Sequence, residues 1–154
     1  MQEYERTLLA AQGYLELRMF DDALAELESI PAEVAKDPHV VELRIVILTQ
    51  AHRWPEALDT SRELCQLRPD APAGFIHVAF CLHGMGRSAE ARETLLSGPV
   101  TLHKEATFHY NLACYECALG NLDEARRYLE RSISMDKKFR EFAKTDPDLV
   151  PLRR

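Results

Sequence analysis

Cys114 and Cys117 stand three residues apart in a C-x-x-C string. Thiols at this spacing can exchange disulfides or supply half of a zinc site. On a helix they share one face. Zinc would need two further ligands, and His83 and His77 are the nearest candidates. The chain has no second C-x-x-C and no H-x-x-x-H. Redox C-x-x-C motifs sit beside a βαβ unit, and no such unit is legible here. The expected role is therefore that of small groove or core thiols. Gly84, Gly86 and Ala89 form a G-x-G-x-x-A string. A dinucleotide fingerprint requires a strand before it, whereas a helical pattern precedes this one. The glycines are expected to stop a helix. Asp146 and Asp148 read as turn residues, and His109 as a histidine packed between helices. No Ser–His or paired-carboxylate constellation can be assembled. The expectation is no catalysis, no cofactor and no bound metal.

Composition narrows the classes further. The chain has 154 residues, 46% hydrophobic and 29% charged, which fits one domain with a core large enough to need no staple. Its net charge of −6, with no basic stripe, argues against nucleic acid. The longest stretch free of Asp, Glu, Lys and Arg, Ala71–Gly86, is too short to span a bilayer. The acidic start MQEYERTLL has no basic region before an apolar run, so no signal peptide and a cytoplasmic location are expected. The four cysteines then read as free thiols. Charge is polarised: residues 1–33 carry eight acids and two bases, residues 126–154 nine bases and five acids. Solvated helix faces explain this, and weak head-to-tail association into a homo-oligomer is the alternative.

The elements that would position these residues emerge from a repeat. Ala23, Ala57, Ala91 and Ala125 stand 34 residues apart. An acid precedes each: Asp22, Glu56, Glu90, Glu124. Twelve residues before each stand Ala11, Ile45, Ala79 and Ala113. A bulky residue lies three before in Phe20, Trp54 and Leu122, with Ser88 the exception. Apolar spacing of three and four predicts first helices at roughly 4–17, 39–52, 72–85 and 105–119. Second helices follow at roughly 21–30, 55–67, 88–97 and 122–135. Asp37 before Pro38 suits a helix start, and Asn121 with Glu124 reads as a capping box. Gly86 and Gly120 mark the break between paired helices. Alanine at the crossings lets two backbones approach. A last helix is expected over Lys137–Lys144, followed by a turn at Thr145–Leu149.

In these columns the chain resembles the tetratricopeptide repeat family. The fourth unit carries the pattern best, through Tyr110, Asn111, Leu112, Ala113, Gly120, Leu122, Ala125 and Leu129. The third follows through Val78, Ala79, Leu82, Gly86, Ala91 and Leu95. The second keeps Leu48, Trp54, Ala57, Leu64 and Pro69, and the first Ala11, Tyr14, Phe20, Ala23 and Leu27. The resemblance implies an all-α, right-handed α-solenoid of four hairpins with a C-terminal capping helix. One domain, 1–154, would hold repeats at about 4–36, 38–70, 72–104 and 106–136, with the capping helix and tail at 137–154.

It further implies a non-enzymatic protein-interaction module whose first helices line a concave groove. The groove positions carry over to Val46, Ile76, His77, Phe80, His83, Tyr110, Asn111 and Cys114. Phe80 and Tyr110 would anchor a peptide or helix of another protein. Asn111 matches one position of the family's carboxylate clamp, but the cationic places hold Glu42, Leu43, Val46 and His77, so chaperone tails are not the expected ligand. The alternatives are a secretion-type chaperone holding an unfolded client and a self-assembling scaffold.

Overall fold

Helix ends in this chain are written in its turn residues. The structure is a computed structural model that describes residues 2–154. Its α-helices are α1 Glu5–Glu16, α2 Phe20–Glu28, α3 Ala32–Ala35, α4 Pro38–Gln50, α5 Trp54–Leu67, α6 Pro72–Gly84, α7 Ser88–Leu96, α8 Ala106–Ala118, α9 Leu122–Met135 and α10 Lys138–Thr145. Short 3-10 turns cover Gln2–Tyr4, Val100–Lys104 and Pro147–Arg153. No strand occurs among the described residues. The expected helices agree with these bounds within two residues, the scatter ordinary for frayed ends.

The four hairpin turns repeat one geometry. Residues 18, 52, 86 and 120 all adopt left-handed backbone, at φ 59, 58, 78 and 83°. The next N–H, of Met19, Arg53, Arg87 and Asn121, donates to the carbonyl five residues earlier, on Tyr14, Leu48, Leu82 and Glu116, at 2.8–2.9 Å. This closes the helix with its last carbonyls satisfied. Two of the four residues are glycine, as the sequence led us to expect. The other two, Arg18 and His52, hold a strained conformation. Each lays its side chain on the bulky residue two positions on: Arg18 over Phe20 at 5.1 Å, His52 stacked on Trp54 at 5.4 Å.

Helix starts are equally local. Asp37 accepts a bond from the His39 N–H at 2.9 Å and caps α4. Arg53 and Arg87 fork onto Glu56 and Glu90, which belong to the acidic column. The capping box expected at Asn121 is not formed. Asn121 makes no side-chain cap, and Glu124 pairs instead with Arg127 one turn on.

The chain groups into two compact units, one ending at Pro69 and one spanning Asp70–Arg154, each with two of the expected hairpins. In the first, α1 pairs with α2 and α4 with α5, and α2 packs on α4. Its core includes Ala11, Ala23, Leu27, Ile30, Val40 and Ile47. In the second, α6 pairs with α7 and α8 with α9, while α8 touches both α6 and α7. The small columns are fully buried in both units: Ala23, Ala57, Ala91 and Ala125, and Ala11, Ile45, Ala79 and Ala113. A larger side chain at these crossings would overpack by about 1–3 kcal/mol.

One inward-facing column, partly buried at its first member and buried at the other three, changes character. Its members are Tyr14, Leu48, Leu82 and Glu116. Glu116 is 5% exposed, and Arg92 of α7 reaches it at 3.2 Å. The sequence reading missed this pair, although an acid in an otherwise apolar or aromatic column was the available signal.

Candidate functional site

The predicted lining falls on two units. Val46 lies half-buried on α4 of the first. The other seven residues lie on α6 and α8 of the second. There Ile76 and His77 are half-buried, and Phe80 is 43% exposed although its neighbours Val78, Ala79, Cys81 and Leu82 are buried. Ile76 and Phe80 are one turn apart on α6, so they share a face. Asn111 is half-buried on α8.

Tyr110, Cys114 and His83 are not open. The end of the chain lies over them. After α10 the backbone extends at Asp146, and the 3-10 turn Pro147–Arg153 packs back onto α8. Tyr110, only 7% exposed, donates its hydroxyl to Asp146 Oδ2 at 2.6 Å. The Cys114 thiol lies 3.9 Å from the same oxygen. His83 Nε2–H donates to Asp148 Oδ2 at 3.0 Å, while its Nδ1 faces Ser88 Oγ at 2.7 Å. Phe139 of α10 stacks on Tyr110 at 4.7 Å, and Leu149 is 1% exposed. The aspartates form the turn expected of them: Asp146 Oδ1 accepts the Asp148 N–H at 2.9 Å. Their outer oxygens also pair with Tyr110 of α8 and His83 of α6, a role with no signature in the sequence.

The electrostatics follow from this cover. Burial, then the bond to Asp146, pushes the Tyr110 hydroxyl far above its ordinary range. Burial, then the Asp146 charge, does the same to the Cys114 thiol. Burial raises Cys117 as well. The C-x-x-C thus holds two buried, protonated thiols, which are poor nucleophiles. The hydrogen bond from His83 holds the Asp148 carboxyl below the usual aspartate range. His109 is buried as expected, and its Nε2–H donates to the His103 carbonyl at 3.0 Å. Burial lowers its basicity.

Donors of metal type meet at one place. Cys114 Sγ and carboxylate oxygens of Asp146 and Asp148 lie within 4.8 Å of one another. This is not the Cys114, Cys117 and His83 set weighed from sequence, and three donors fall short of a closed structural zinc site. No helix among the described residues is long and apolar enough to cross a membrane.

Antiparallel helix pairs repeating every 34 residues, closed by one turn geometry and crossing at buried alanines, define a helical-hairpin repeat protein. Residues 106–139, spanning α8, α9 and the start of α10, match the sequence model of the Tetratricopeptide repeat family. No curated protein matches the chain by sequence. Solved structures share its fold. The thermophilic tetratricopeptide protein TTC0263 of Thermus thermophilus superposes with TM-score 0.72 at 16% identity, covering 84% of this chain and 74% of that one. MamA from Desulfovibrio magneticus RS-1 gives 0.69 at 16% identity, covering 88% and 80%. A further MamA crystal structure gives 0.71 at 14% identity, covering 89% and 80%. The chain thus shares the fold of tetratricopeptide-repeat proteins, and its fourth hairpin carries that family's sequence pattern.

Proposed function

We propose that the chain binds a peptide or helical segment of another protein on the face shared by α6 and α8. The observation that carries this is the exposure of Phe80, 43%, one turn from Ile76 and between the buried Val78, Ala79, Cys81 and Leu82. An aromatic side chain left to water beside polar groups is the chemistry of a binding anchor. His77, next to Ile76 on α6, and Asn111 on α8 are both half-buried polar residues. Catalysis has no support here: the thiols are protonated, and His83 and the aspartates are engaged with one another.

Site-specific photo-crosslinking tests this reading. A benzophenone side chain is placed at Phe80 and, as a control, at Arg127 on the exposed surface of α9. The expected result is a discrete adduct from position 80 that is absent from position 127, suppressed by adding Ile76→Ala. Equal labelling from both positions, or from 127 alone, would move the binding surface elsewhere.

A further inference from the structure

We propose that the α6/α8 face recognises a short segment of a partner protein bearing Asp-x-Asp followed by an aliphatic residue, and that residues 146–149 occupy this site in cis as a resident copy of that motif. The inference rests on the reading that this face binds the partner, and it adds the partner's chemistry.

Donors and acceptors come from opposite sides of this contact. Helix α6 contains no acidic residue, and the one acid of α8, Glu116, is taken by Arg92. Tyr110 and His83 present an O–H and an N–H, and Cys114 adds a weak S–H. Their acceptors come from Asp146 and Asp148. With the tail removed, two half-buried or buried donors lose these partners, at a desolvation cost that incoming carboxylates would relieve. Charge-assisted bonds of this type are also the stronger kind.

The tail reaches beyond the last hairpin. A terminal cap must cover the apolar face that the last repeat would otherwise expose. Helix α10 packs on α9, and the 3-10 segment packs on both α8 and α9. The following segment goes further, returning over α8 and reaching His83 on α6, one hairpin earlier. Its grip combines two carboxylates on side-chain donors of α6 and α8 with the buried Leu149, while Arg153 ties the segment to the Ala143 and Asp146 carbonyls.

The segment is also pre-organised. Asp146 Oδ1 accepts the Asp148 N–H, and Pro147 fixes the backbone between them. The turn thus holds the Asp146 carboxylate in place before docking, which lowers the ordering cost of binding. Any partner carrying the same turn can present the same two oxygens. A tethered segment competes at an effective concentration on the order of millimolar, so the wild-type chain should bind such a peptide only weakly.

The test uses the full-length chain with Asp146→Asn, Asp148→Asn and Leu149→Ser, which removes both carboxylates and the apolar anchor. A fluorescent peptide, TDPDLVPL, is titrated by anisotropy against wild type and this variant, with TNPNLVPL as control. Hydrogen exchange over 147–153 reports release of the tail. The expected result is binding at least tenfold tighter to the released variant, lost with the Asn peptide and lost again on adding His83→Ala. A released, helical chain that ignores the peptide would overturn the proposal, because the tail is then only a cap. So would collapse of helicity, because the segment is then an integral part of the last hairpin. Concentration-dependent wild-type dimers that exchange tails would assign the site to a second copy and overturn the commitment to a separate partner. Crosslinks from Phe80 without peptide binding would leave the binding face intact and reject only the Asp-x-Asp chemistry; peptide binding without such crosslinks would do the reverse.

Discussion

Replacing Arg92 by methionine removes the cation that reaches Glu116, and leaves a carboxylate inside the second unit. At 3.2 Å, two unit charges attract by about 5 kcal/mol in an effective dielectric of about 20. That gain is opposed by the desolvation of both groups. It is also screened, because the Arg92 side chain is 35% exposed. The pair therefore adds little net stability, but breaking it from one side is costly. We expect Arg92→Met to destabilise by about 3 kcal/mol, the lower end for an orphaned buried charge. For a chain of this size that is a fall of roughly 6–12 °C in Tm. Glu116→Leu should cost about 1 kcal/mol or less, because the guanidinium can turn to water and leucine matches Leu48 and Leu82 in the same column. The double variant should return to within about 1 kcal/mol of wild type, since apolar replacements of buried pairs are often neutral or better. Urea unfolding of the four chains, followed by circular dichroism, closes the cycle. A cost below about 1 kcal/mol for Arg92→Met would refute the reasoning, as would a double variant no more stable than that single one.

Three further outcomes follow from local geometry. His52 is left-handed at φ 58°, so His52→Gly should stabilise by up to about 1 kcal/mol while His52→Val destabilises by more than about 1 kcal/mol, read from urea midpoints. A Cβ at Gly98 would lie 2.5 Å from Leu102 Cδ1 and 3.2 Å from the Thr94 carbonyl; with Leu102 fully buried, Gly98→Ala should cost about 1–3 kcal/mol in the same assay. Asp148 titrates lower in the folded chain than in the unfolded one, so its contribution is complete above the ordinary aspartate pKa of about 3.9 and fades as pH falls through the folded value. Amide protection over 147–153, corrected for the intrinsic exchange rate, should fall on acidification below about pH 4, and Asp148→Asn should flatten that dependence.

What could be read from the residues was what the repeat enforces. Alanine at 23, 57, 91 and 125 has no other use at that spacing than helix crossing, and all four are fully buried. Proline at the start of α4 and glycine after α6 and α8 act within one turn, so their effect needs no tertiary knowledge. Legibility ended where the choice of side-chain partner decides the outcome. The Asn121–Glu124 box looked complete, yet Arg127 on the next turn took the carboxylate. Arg18 and His52 gave no sign of left-handed backbone, because a cation or imidazole signals nothing about φ until its aromatic partner is placed. Asp146 was legible as a turn former, but not as the acceptor for Tyr110, 36 residues earlier. Column arithmetic identifies which face a residue occupies; it does not reveal what later folds over that face.

The burial of Cys114 beneath Asp146 also gives the chain a clock. Alkylating reagents consume thiolate, and this thiol is both covered and held protonated. Its modification must wait for the last residues to lift away. The observed rate is then the intrinsic rate of a free thiol multiplied by the fraction of time the segment is open. Cys65, half-buried on α5 in the other unit, keeps separate time. Two alkylation rates measured on one unlabelled sample would report the open fraction of the last segment and of the surroundings of Cys65 in the first unit.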